Sequence, residues 1–198
     1  NESSFEVKNG QAIAFVGLTG SGKSSLLNLC MRVDEIDRGQ VLIDGQDIKD
    51  YSQEALRKSI GLVLQEPFLY HGTIASNIRM YHEELTDEEI QQAAAFVDVA
   101  DFIESLPGGY DHPVTERGST LSTGQRQLLA FARTIAAQPK ILILDEATAN
   151  IDQETEEMIQ NSLKKMRQGR TTIAIAHRLS TIQDADCIYV LDKGTIIE

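Results

Sequence analysis

The chain has 198 residues, 41% of them hydrophobic and 6% aromatic, which suffices for a core within one domain and excludes a disordered or collagen-like chain. Thirty acidic residues against 18 basic ones leave a net charge of −12. That balance argues against a nucleic-acid or anionic-lipid surface, because neutralising phosphates needs a basic stripe. A local anion site remains compatible with it, since backbone N–H groups and one Lys bind phosphate on an acidic protein.

In chain order, the apolar run 12–16 predicts a short buried strand, and the glycine-rich stretch 17–22 follows it. After Lys23, SSLLNLCMRV has helical apolar spacing, so the opening unit is strand, glycine loop, helix. GQVLIDG (39–45) predicts another short strand, 52–58 a short helix and 60–64 a third apolar strand. The character then changes. Thr86 and Glu89 form a capping-box pattern ahead of a helix through Ala95. A second helix is predicted over 100–106 and a third from Ser122 to about Ala137, with Leu128, Leu129, Ala132 and Ile135 on one face. No strand-like alternation interrupts 66–136, which therefore reads as an inserted helical subdomain between core segments 1–65 and 137–198. Strands resume with the ILIL run at 141–144. Asp152 can cap a helix over 153–166, runs 171–176 and 187–191 are strand-like, and Asp192-Lys193-Gly194 reads as a turn into 195–197. Alternating strands and helices imply a mostly parallel α/β sheet with right-handed crossovers and a small antiparallel part.

The two cysteines, Cys30 and Cys187, sit far apart in apolar stretches and read as buried reduced thiols, in keeping with a cytosolic setting. No apolar run approaches the ~20 residues of a membrane span, and no signal-peptide pattern opens the chain. It begins at Asn1 rather than Met, the expectation for an excised piece.

Gly17-Leu18-Thr19-Gly20-Ser21-Gly22-Lys23-Ser24 matches G-x-x-x-x-G-K-[ST] in full, and Ser25 continues the helix start. Glycines let the backbone wrap a phosphate chain, and the N–H groups and helix dipole converge on anionic oxygens. Lys23 suits the β- and γ-phosphates and Ser24 suits Mg²⁺. An apolar strand ending in Asp145-Glu146 supplies acidic partners at the sheet edge where α/β ligands sit. Asp145 fits the magnesium-holding role, and Glu146 is placed to orient or deprotonate an attacking water. Ser122 with Gln125 is a capping box in plain structural terms. That reading leaves Gly124 unexplained, since Gly inside a first turn weakens a helix, and a helix start with bare backbone is also an anion site.

The order of GLTGSGKS, VLQE, LSTGQRQ, ILILDEAT, NID and AHR resembles the ATP-binding cassette family over nearly the whole chain. GTIASNI, RGSTLSTGQ and AHRLSTIQDAD look like exporter-type cassettes. The resemblance implies a P-loop ATPase using ATP and Mg²⁺ on the cytoplasmic face of a membrane. Its partners would be transmembrane domains and a second nucleotide-binding domain, identical or homologous, and not nucleic acid. It makes Gln65 the residue that contacts Mg²⁺ and reports to the membrane domain, Asp152 the D-loop residue and His177 the switch histidine at the γ-phosphate. It makes Ser122, Gly124 and Gln125 the signature motif, the clamp on ATP held by the opposite subunit. Thr123 stands where the family most often has Gly, and His112-Pro113 replaces a common Thr-Glu. The adenine-stacking aromatic would precede Asn1 and the C-terminal helices would follow Glu198, so the chain reads as truncated at both ends. Two other readings stand beside the motor: a nucleotide-dependent dimerisation module, and a soluble cassette protein acting on ribosomes or DNA. Intact Glu146 and His177 count against the first, and the acidic charge against the second.

Overall fold

The computed structural model describes residues 3–145, 151–177 and 182–197, and they form two compact units, Asn1–Leu62 with Pro139–Ala147 and Gly169–Glu198, and Val63–Gln138 with Thr148–Gln168. The chain begins in the first unit with β1 (Ala12–Val16), α1 (Lys23–Cys30), β2 (Leu42–Ile43), β3 (Gln46–Asp47), α2 (Gln53–Ser59) and β4 (Ile60–Val63). It runs through the second with β5 (Gly72–Thr73), α3 (Ile74–Arg79), α4 (Asp87–Phe96), α5 (Ala100–Ser105), β6 (Pro113–Val114) and α6 (Thr123–Ala136). It returns for β7 (Ile141–Asp145), re-enters the second unit for α7 (Gln153–Arg167), and ends in the first with β8 (Thr171–Ile175), β9 (Cys187–Asp192) and β10 (Thr195–Ile196).

The main sheet has the order β10-β9-β1-β8-β7-β4. β9, β1, β8 and β7 run parallel to one another, and β10 pairs antiparallel with β9. The apolar runs explain the centre: in β1, residues Ile13, Ala14 and Phe15 are all but fully buried, as expected of strands covered on both faces. α1 lays Leu27 and Cys30 on a core that includes Phe15, Ile143, Ile173 and Ile175. Phe5 and Tyr189 pack on Phe15 with ring centroids 5.1 and 5.4 Å away. Burial pushes the Cys30 thiol up from its ordinary value of 9.0 to about 11. Both cysteines are free, and Cys187 is half-buried where full burial was expected, because β9 lies next to the short edge strand β10.

The second unit is built on α6, against which α3, α4 and α7 pack. The predicted face holds: Leu128, Leu129, Ala132 and Ile135 are buried, and Phe131 joins them with no exposure. Three helices open on full capping boxes, Thr73 with Ser76, Thr86 with Glu89 and Ser122 with Gln125. Ser162 on α7 donates to the Val97 carbonyl at 2.9 Å, and Lys165 pairs with Asp98 at 2.6 Å. α7 thus groups with the helical unit.

Three expectations need correction. The strand over 39–45 shrinks to Leu42–Ile43, paired only with Gln46–Asp47 across a tight turn. The insert is not free of strands, since Gly72 and Thr73 pair with Val114 and Pro113. Two residues per strand carry no period, and a Gly and a Pro in them argue locally against one. α3 also went unread, being a helix of 6 residues. Among the described residues no helix is long and apolar enough to cross a membrane.

Candidate functional site

In the first unit the sheet register assembles one edge. Phe15 of β1 and Asp145 of β7 both align with Ile175 of the strand between them, β8. All three strands run the same way, so the segments leaving their C-terminal ends emerge side by side. After Phe15 and Val16 comes the loop 17–22, and two residues after Ile175 comes His177, which is exposed. Asp145 closes β7 at the same edge, half-buried.

The loop is held from inside and from below. Lys23 is 6% exposed, and its ammonium donates to the Gly17 carbonyl at 2.7 Å, the Leu18 carbonyl at 2.9 Å and Ser21 Oγ at 3.2 Å. A buried ammonium requires such partners, and phosphate oxygens are stronger acceptors for it than carbonyls. Below, the turn between β9 and β10 props the loop: the Gly194 N–H donates to the Ser21 carbonyl at 2.8 Å. Gly17 lies so close to the Leu191 carbonyl oxygen that a Cβ there would collide with it. Gly22, the N-cap of α1, holds φ at 101°, a left-handed value that costs other residues about 1 kcal/mol or more. Outward, Gly17, Leu18, Thr19 and Gly20 are exposed, as are Ser24 and Ser25 on the first turn of α1. A Cβ on Gly20 would meet nothing within 4 Å. The loop therefore presents bare backbone and hydroxyls to open space, with a cation behind them. A polyphosphate fits that chemistry. The exposed Ser24 hydroxyl and the Asp145 carboxylate are hard oxygen donors of the kind Mg²⁺ takes.

The second unit carries the other predicted residues. Gln65 lies exposed in the turn after β4. Ser122 Oγ accepts from the Gln125 N–H at 3.1 Å, and Gln125 Oε1 accepts from the Ser122 N–H at 2.9 Å. Gly124 is buried between them. Arg126 braces this turn, donating to the Leu121 carbonyl at 2.8 Å and to Thr123 Oγ1 at 3.2 Å. The β-branched side chain that departs from the family pattern thus has a partner. Asp152 caps α7 by accepting from the Thr155 N–H at 2.9 Å. That bond, with a second from the Thr155 hydroxyl, holds its carboxyl below the ordinary value.

The model of the ABC transporter family matches residues 1–149. The chain belongs to the ABC transporter family. A Streptococcus pneumoniae protein named "Putative ABC transporter ATP-binding protein exp8" is 72% identical over the whole chain, which spans 34% of it. The Agrobacterium vitis beta-(1→2)glucan export ATP-binding/permease protein NdvA is 50% identical over 98% of the chain, which spans 33% of that protein. Among solved structures, a bacterial Atm1-family ABC exporter with ATP bound superposes with a TM-score of 0.89 at 45% identity, covering 99% of this chain and 34% of that one. The chain thus spans about a third of the length of the relatives it matches. It is an ATPase domain with the P-loop α/β fold of that family.

Within this ABC domain the structure brings Gly17 through Ser25, Asp145 and the start of the His177 segment to one sheet edge, and joins Gly124 and Asp152 through Thr155. Glu146 lies outside the described residues, as does AHRLST beyond His177. Sequence reading missed Asn77 and Arg133. Asn77 is 2% exposed; its Oδ1 accepts from the Tyr70 N–H and its Nδ2 donates to the Tyr70 and Thr73 carbonyls, at 2.8 to 3.0 Å. Arg133 of α6 donates to the Asn77 carbonyl at 2.8 Å and the Phe68 carbonyl at 2.9 Å. Together they pin the stretch downstream of Gln65 to the signature helix. An Asn between Ser and Ile in a short helix was the only local sign of it.

Proposed function

We propose that this chain is the motor of an exporter, hydrolysing ATP with Mg²⁺ in a head-to-tail sandwich with a second such domain. The observation that carries the reading is the register that sets the roots of the P-loop, of Asp145 and of His177 abreast, with buried Lys23 at the loop's centre. Lys23 exchanges the Gly17 and Leu18 carbonyls for β- and γ-phosphate oxygens, and the loop N–H groups bind the same chain. Ser24, Asp145 and Gln65 would hold Mg²⁺, which when bound would supply positive charge against the phosphates. Glu146 takes the proton of the attacking water, and His177 steadies the γ-phosphate. Ser122, Gly124 and Gln125 clamp ATP bound to the opposite domain, with Asp152 beside that interface. Closure on ATP and opening after hydrolysis would drive transmembrane domains, which the names of relatives such as NdvA ("ATP-binding/permease") place in the same polypeptide there.

The test is Glu146→Gln. Glutamine keeps the size and hydrogen bonding of the side chain but cannot act as a base. Phosphate release falls about a hundredfold or more while ATP binding persists, and light scattering with Mg-ATP shows a dimer that wild type forms only transiently. Wild-type phosphate release in the variant removes Glu146 from catalysis. A variant that stays monomeric at saturating ATP argues against pairing with an identical chain.

A further inference from the structure

Gly124 needs a physical reason that helix formation does not supply, since a glycine inside a helix costs about 1 kcal/mol relative to Ala. Its backbone is ordinary helix, so no left-handed angle requires it. The reason lies thirty-one positions on, in α7. A Cβ built on Gly124 would collide with Cγ2 of Thr155, with Thr155 Cβ at 3.4 Å and Oγ1 at 3.9 Å. Thr155 is not free to turn away. Its N–H and its hydroxyl both bond the Asp152 carboxylate that caps α7. The methyl therefore fills the space where a side chain on the signature turn would stand.

We propose that Thr155 is a positioning residue for the ATPase reaction, seating the Ser122–Gln125 turn against the Asp152 cap so that the signature and the D-loop move as one piece. Gly124 and Thr155 form a size-matched pair inside a single chain. The start of α6, where the clamp hydroxyl of Ser122 sits, is set by the start of α7. The turnover readout rests on the clamp role proposed for Ser122, but the contact itself does not.

Two explanations of Gly124 separate here. If glycine is needed only to leave backbone bare for a phosphate, trimming Thr155 changes nothing. If glycine is needed because Thr155 occupies its Cβ space, removing Cγ2 restores tolerance. Thr155→Ser removes that methyl and keeps the hydroxyl for Asp152.

The experiment compares wild type, G124A, T155S and G124A/T155S by phosphate release, ATP affinity and melting temperature. G124A should lower phosphate release at saturating ATP by about tenfold or more with ATP affinity unchanged, and the double variant should return to within about threefold of T155S. Melting temperature should fall in G124A and recover in the double variant. Recovery of turnover and stability together supports the proposal. G124A indistinguishable from wild type, or a double variant as poor as G124A, overturns it. Recovery of melting temperature without turnover reduces Thr155 to a packing residue and also overturns the positioning role. Wild type that releases no phosphate would sink the motor reading instead, and the melting temperatures would still decide the contact.

Discussion

The two units build their functional turns by different means. In the first, the P-loop takes its shape from what a sheet edge imposes: three parallel strands in register, a carbonyl of β9 against Gly17, and a turn glycine bonded to Ser21. In the second, the signature turn takes its shape from side chains, with Ser122 and Gln125 exchanging bonds, Arg126 bracing Thr123, and Thr155 filling the space over Gly124. A backbone-built site tolerates exchange of its exposed side chains and not a Cβ in the wrong place. A side-chain-built site fails by smaller steps.

Gly17→Ala should show the first kind of failure. Its methyl group has a backbone carbonyl in the way, which cannot swing aside as a side chain can. Overpacking of that kind costs about 1–3 kcal/mol, and we expect calorimetry to show ATP affinity down about tenfold or more. Unaltered affinity would mean that the loop is not set by β9. Asn77→Ala attacks the second unit at a buried side-chain amide. It orphans the Tyr70 N–H and two carbonyls and removes one acceptor from Arg133, so a loss of about 3 kcal/mol is expected in chemical denaturation. ATP affinity should hold. A variant as stable as wild type would show that the pin adds nothing. The smallest effect belongs to Ser122→Ala, which removes one capping bond and about 1 kcal/mol. Phosphate release should drop more than stability does, with ATP affinity intact. Wild-type turnover would deny Ser122 its place in the clamp.

The contrast also explains what could be read in advance. The P-loop, the β7 strand ending in Asp145 and the Ser122 box are local patterns, each complete within about eight residues, so their local structure was visible in the chain. The apolar face of α6 followed from period alone, and Phe131 and Ala136 were added to it. What stayed hidden depends on residues distant in sequence. Arg133 reaches back 56 positions to Asn77, and Gly124 gets its reason from a methyl in another helix. β5 and β6 pair across some forty residues with two residues each, too few to show alternation. α7 follows a strand of the first unit in sequence but packs on α6, and no pattern within its fifteen residues says which unit its apolar face will choose.

Lys23 is the buried cation bonded to the carbonyls of the loop, and the proposed ATP site depends on it. Titrating Mg-ATP into wild type and Lys23→Ala by calorimetry, with circular dichroism to confirm an intact fold, tests it most directly. Wild type should bind and the variant should show no measurable binding. Equal affinity in two folded proteins would contradict the assignment of this loop as the ATP site.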